Sequence, residues 1–322
     1  MSTITGGNES VGTANGIRRF TDAQVYIHGL LATSILLLWV TGLPITFHDP
    51  FAWLMALLGY DNVVLLHVIA GAVLMATSAF YVVYGLLGMI GGVTTLSNVV
   101  PGRGDIREAL DHLQYLAGFR GQPESGKYTF LQKAEMWIIA AETAVMIGTG
   151  IVLWSGTTSG ASPAPAYLIV RDVHAIVAVT MLVGVTFHLF MTHAKEFPLD
   201  RSMFTGRVSL GRACEEWEGW ARSEIGRADA TCEELSHTTI LTTSVIVGMI
   251  LFAVVWTGVI LQYVLSPIPT GGLSVASGVA PNTLPGGLLG MVYAAGLNLA
   301  MLVIIGAIGA LAYGFVDRWT VG

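Results

Sequence analysis

Long apolar blocks, separated by short polar stretches, dominate the pattern along this chain. Several run for 20 residues or more, enough to cross a hydrocarbon layer of about 30 Å as a helix. Windows of about 19 residues predict helices at 23–47, 63–92, 133–155, 172–193, 238–265 and 288–316. Six spans return both termini to one side. The pattern therefore predicts an all-α integral membrane protein.

Composition agrees with this. Of 322 residues, 53% are hydrophobic and only 11% charged, whereas soluble domains carry roughly a quarter charged residues. That balance excludes a soluble globular fold, a disordered chain and a nucleic-acid binder. Residues 1–22 are polar and Gly-rich without an apolar core, so they read as a tail and not as a cleaved signal.

The charges orient the spans. Fourteen of the 15 Lys and Arg residues fall before the first span, in or at the edge of the second loop, after the fourth span or after the sixth, and Arg171 alone falls on the other side. The positive-inside rule then puts both termini in the cytoplasm of a multi-pass cell-membrane protein. Cys214 and Cys232 fall on that side, where thiols stay reduced. Without a Cys-x-x-Cys pattern they are not read as an iron–sulfur or zinc site.

Four of the eight histidines, His28, His67, His174 and His188, lie inside predicted spans. Ionisable groups there are costly and are functional candidates by default. His28 and His188 each lie about five residues from the inner edge of their spans, roughly 8 Å deep at the helical rise. His67 and His174 lie two to four residues past the outer edges. His174 and His188 are 14 residues apart, close to four turns, so they share one helix face about 21 Å apart. Two imidazoles from facing helices at one depth suit the two axial positions of a haem iron. Zinc sites instead usually add Cys or carboxylate ligands in one sphere. Gly29, Gly71, Gly148, Gly150 and Gly184 would open gaps for a flat macrocycle, or simply let helices pack closely. A lone buried histidine is more often a hydrogen-bonded core residue; four at matched depths favour ligation.

These residues sit in recognisable stretches: Arg19-Phe20-Thr21-Asp22 leading to His28, Thr41-Gly42-Leu43, Leu66-His67-Val68-Ile69-Ala70-Gly71, Lys127-Tyr128 with Gln132-Lys133, and Gly150-Ile151-Val152-Leu153-Trp154 before the paired histidines. Over roughly residues 17–200 the chain resembles the di-haem cytochrome b subunit of membrane-bound formate dehydrogenase and its relatives in nickel–iron hydrogenases and thiosulfate reductases. The resemblance implies a four-helix bundle with two haem b groups, held by His28 with His188 (inner) and His67 with His174 (outer). It also implies iron–sulfur and catalytic (molybdopterin or nickel–iron) subunits on the outer face, and a quinone, menaquinone or ubiquinone, as the membrane partner. The chain departs from the four-helix pattern by continuing through an inner segment into two further spans. Thr129 also stands where the family often has Asn.

The expected organisation is a cytoplasmic tail (1–22), a four-helix di-haem core (23–193), a cytoplasmic linker with an amphipathic helix carrying Trp217 and Trp220 (194–237), and two extra spans (238–322). Arg171 would pair with a haem propionate or serve as an interfacial anchor. Lys133 and Thr129, with Lys127, would stand at a quinone mouth near the inner haem, or only obey the positive-inside rule. Glu142, mid-span, would assist proton delivery or pack against a neighbour. The expected function is electron transfer through two haems between an outer-face redox partner and the quinone pool. A stand-alone transmembrane cytochrome and a non-redox scaffold or transporter are the alternatives.

Overall fold

The computed structural model describes residues 16–91, 99–119, 121, 123–158, 165–194, 201–224 and 287–321. The span predicted at 238–265, the residues before 16, and Cys232 lie outside the described residues.

Five described helices are long and apolar enough to cross a membrane: α1 (Asp22–Thr46), α3 (Tyr60–Ile90), α5 (Phe130–Thr158), α6 (Pro165–Leu189) and α10 (Gly287–Val321). The chain is an all-α integral membrane protein. In hydrocarbon every backbone group must find its partner within the span, which is what makes these blocks helical. Helix α1 keeps the predicted limits to within one residue, while α3 and α6 start earlier and α5 and α10 run past both limits, because hydropathy sees only the apolar slab while the hydrogen-bond ladder continues into the polar interface. His67 is thus the eighth residue of α3 and His174 the tenth of α6, both further from the helix start than the sequence suggests.

Local signals start the helices. Thr21 caps α1, its hydroxyl accepting the Gln24 N–H while the Gln24 side chain accepts the Thr21 N–H. Thr129 and Gln132 repeat the device at α5, at 3.2 and 3.1 Å. Between α1 and α3 the chain makes a 3₁₀ turn (Asp49–Phe51) and a short helix α2 (Ala52–Leu58).

Helix α1 is the centre of the bundle. Ile35, Leu36, Trp39 and Leu43 from α1 form one buried cluster with Leu74 of α3, Val179 and Met181 of α6, and Leu297, Met301 and Ile304 of α10. Trp39 Nε1 reaches across to the Ala178 carbonyl at 3.3 Å. The last helix is held at both ends. Asn298 bonds Trp53 and the Pro50 carbonyl, while Arg318 pairs with Asp22. Phe315 fills the notch at Gly29, where a Cβ would lie 2.3 Å from its ring. Protein, and not a macrocycle, therefore occupies the gap at Gly29.

The end of the bundle where α1 and α5 begin carries a polar layer that the hydropathy pattern leaves undefined. An amphipathic helix α4 (Arg103–Leu116) precedes α5. After a π turn (Phe190–Ala194) that continues α6, the chain forms α7 (Ser202–Thr205), strand β2 (Arg207–Val208), α8 (Leu210–Glu216) and α9 (Glu218–Glu224). Strand β2 pairs antiparallel with β1 (Ile17–Arg18). Gly206, in the left-handed region at φ 73°, makes the turn between α7 and β2. Contacts among these pieces gather Arg18, Arg19, Lys127, Lys133, Arg201, Arg207, Arg212 and Arg318 at one end, here called the basic end.

The sequence lays Trp217 and Trp220 on the membrane surface. In the structure both indoles are buried with Val208, Ala213 and Ala221. The Arg19 guanidinium lies 3.3 Å from the Trp217 ring centre and donates to the Lys127 carbonyl and to Gln132 Oε1. Gln132 Oε1 also accepts the Trp217 indole N–H. Cys214 is disulfide-bonded and not the reduced thiol expected from sequence.

Candidate metal centres

The structure brings the four membrane histidines together in two pairs. The rings of His28 (α1) and His188 (α6) have centres 6.1 Å apart, tilted by 47°. Those of His67 (α3) and His174 (α6) are 6.4 Å apart at 68°. With metal–imidazole bonds of about 2.0 Å and a ring nitrogen about 1.1 Å from its ring centre, two imidazoles in line across one metal have centres about 6.2 Å apart. At this spacing each pair could hold one metal between its two rings. Among the described residues no group of three or more His, Cys, Asp or Glu could hold a metal ion. A site with only two protein ligands suits a metal whose other positions are filled by a macrocycle.

Hydrogen bonds select the tautomer. Thr41 Oγ1 is 2.8 Å from the Leu37 carbonyl and 2.8 Å from His67 Nδ1. A hydroxyl has one proton to give. The carbonyl can only accept, so that proton goes to Leu37, and His67 Nδ1–H donates to Thr41. The Nε2 lone pair is left for a metal. The other helix pair repeats this. Thr149 Oγ1 donates to the Val145 carbonyl at 2.7 Å and lies 2.7 Å from His174 Nδ1. A glycine follows each threonine and leaves room for the ring: a Cβ at Gly42 would lie 3.1 Å from His67 Cε1, and one at Gly150 3.6 Å from His174 Cε1.

At the other pair, His188 Nδ1 stands 3.2 Å from Glu135 Oε1 and 3.4 Å from Thr192 Oγ1. Glu135 and Thr149 are 14 residues apart on α5, as are His174 and His188 on α6. The two contacts therefore fix one antiparallel register, with Glu142 at the level of Met181. Glu142 Oε2 is buried there without a hydrogen-bond partner among the described residues.

The remaining candidates have structural partners. Lys133 Nζ is buried against Asp105 Oδ1 at 2.7 Å. Thr129 caps α5, and Arg171 makes two bonds to Asp172 Oδ1. Lys133 and Asp105 also line a cleft of about 750 Å³ whose wall carries Glu108, Asp111 and Glu124. Such an acidic lining does not suit an apolar ligand. Sequence reading missed Thr41, Thr149 and Glu135 as the partners of His67, His174 and His188. The Thr-Gly pair recurring at 41–42 and 149–150, and the seven-residue spacing of Glu135, Glu142 and Thr149 on one face of α5, were the available signals.

Residues 19–206 match the family model described as prokaryotic cytochrome b561. Among curated relatives, the cytochrome b556 subunit of formate dehydrogenase from Haemophilus influenzae is 25% identical over 211 residues, which are 65% of this chain and 83% of that protein.

Proposed function

The chain belongs to the prokaryotic cytochrome b561 family and is a haem b membrane electron carrier; from that premise we propose that it is the membrane-anchor subunit of a respiratory oxidoreductase, carrying electrons through two b haems between an outer-face redox partner and the quinone pool. The observation that carries the reading is the pairing of imidazoles at two levels of α6, one at His174 and one at His188, 6.4 and 6.1 Å between ring centres.

His28 and His188 would hold the inner haem, and His67 and His174 the outer. The haems, when bound, supply one-electron iron chemistry. The chain's own part is to ligate and orient. Thr41 and Thr149 hold the outer imidazoles in one tautomer, and α6 spaces the two sites about 21 Å apart along its axis. The basic end would be cytoplasmic by the positive-inside rule, with Arg171 on the outer side. Residues 23–193 would form the di-haem core, with the later helices added to it.

A quinone at the basic end is supported by the start of α5. Lys133 lies two residues before Glu135, which reaches His188. With the polar atoms of Thr129 and Lys133 engaged in the cap and the ion pair, these residues would shape the mouth. The Haemophilus relative is named as a cytochrome subunit of formate dehydrogenase, which supports a membrane-bound oxidoreductase partner; iron–sulfur and catalytic subunits on the outer face would supply it.

Pyridine haemochrome analysis of the purified chain tests the centre of the reading. Two haems per chain are expected, His28→Ala and His67→Ala removing different spectral components, and His174→Ala the same one as His67→Ala. One haem, none, or loss of the same component in His28→Ala and His67→Ala overturns it.

A further inference from the structure

The two histidine pairs are alike in ligand type and unlike in what stands behind the ligands. At the outer pair both Nδ1 atoms meet neutral hydroxyls that have already given their proton to a carbonyl, Thr41 at 2.8 Å and Thr149 at 2.7 Å. Behind His188, Nδ1 meets a carboxylate, Glu135 Oε1, at 3.2 Å. That oxygen is buried, and among the described residues nothing donates a hydrogen bond to it, so its contact with His188 is one of charge proximity. Among the described residues no cation other than His188 lies within ion-pair distance of Glu135. The nearby charges are already matched: Lys133 pairs with Asp105, and Arg212, which reaches the Thr192 carbonyl, pairs with Glu216 at 3.1 Å.

We infer that Glu135 is a positioning residue that lowers the reduction potential of the inner haem and so makes the two haem sites electrostatically different. The inference rests on the reading of His28 and His188 as axial ligands of one haem. Two effects act in the same direction. A carboxylate oxygen 3.2 Å from Nδ1 polarises the imidazole and makes it a stronger donor to the metal, which favours the ferric form. A negative charge in low-dielectric surroundings also stabilises the more positive of two metal states. Thr192, a neutral acceptor at 3.4 Å, supplies neither to the same degree. The register of α5 on α6 makes the asymmetry specific, since the position equivalent to Glu135 at the outer pair is Thr149. The inner site is the one placed towards the proposed quinone, so the acid makes it a stronger reductant at that point.

Potentiometric titration of the full-length, haem-loaded protein, following both b-type components, is the test. Glu135→Gln should retain two haems and shift to more positive potential only the component that His188→Ala removes. No shift in that component, a negative shift, or a shift confined to the other component overturns the inference. Should Glu135→Gln lose the inner haem, Glu135→Asp decides. Its shorter carboxylate should leave that component more positive than in the parent, and unchanged potentials overturn the inference. If instead His28→Ala and His188→Ala remove different components, the ligand assignment itself fails, and does so whatever Glu135 does.

Discussion

Thr149 and His174 share a 2.7 Å hydrogen bond whose direction is set by a third group, the Val145 carbonyl one turn earlier on the same helix. Thr41 and His67 stand in the same relationship through Leu37. In each case a spanning helix lends a hydroxyl to a histidine on its neighbour. The backbone carbonyl makes that hydroxyl an acceptor, and Nε2 is left as the imidazole's unprotonated nitrogen.

Removing these hydroxyls should loosen the haem proposed at His67 and His174. Loss of a ligand's outer partner typically costs about 10–100-fold in metal affinity. Thr41→Val and Thr149→Val should therefore lose haem from the His67/His174 component on dilution or competition with an apo-haem acceptor, with the His28/His188 component retained. Equal loss from both components would show that the threonines serve the bundle and not the ligands.

The two glycines behind the rings should differ. A methyl at Gly42 would crowd His67 at 3.1 Å, whereas one at Gly150 would make ordinary contact with His174 at 3.6 Å. Gly42→Ala should thus perturb the outer component's spectrum and occupancy while Gly150→Ala leaves both near parental. Optical spectra of the two variants, side by side, check this.

Lys133 and Asp105 form a buried pair, so removing one partner strands the other. Lys133→Ala should destabilise by about 3–5 kcal/mol, and the double variant with Asp105→Ala should recover part of that, read as thermal unfolding in detergent. Burial alone would raise the Asp105 carboxyl, but the Lys133 ammonium and the Gly102 N–H outweigh it and hold the group below its ordinary value. A lowered folded value means the contribution is complete above the ordinary carboxylate range and is lost as pH falls through the lowered value. The gap between parent and Lys133→Ala should accordingly be full near neutral pH and narrow below about pH 4.

Arg19 ties three segments of the basic end through one planar group. Its flat guanidinium stacks on Trp217 while one nitrogen, Nη2, donates to both Lys127 and Gln132, and a lysine does not reproduce the stacking. Arg19→Lys should cost nearly as much as Arg19→Ala, about 2 kcal/mol for a desolvated cation–π contact. It should also expose the 201–224 segment to limited proteolysis. Parental protease resistance in Arg19→Lys would mean that charge alone suffices.

What the sequence determined by itself was the lipid-facing logic. Apolar length made α1, α3, α5, α6 and α10 legible, because a span must be long, apolar and internally bonded whatever its neighbours are. His28, His67, His174 and His188 were legible for the same reason, as ionisable side chains where lipid would reject them. The tertiary structure alone decided which groups stand behind those rings. That Glu135 meets His188 and Thr149 meets His174 depends on how α5 slides against α6, and lipid offers no hydrophobic gradient from which that register could be read. The polar layer at the basic end was equally hidden. Arg19, Gln132 and Trp217 lie far apart in the chain, and their meeting follows from packing geometry that no local pattern of hydropathy encodes.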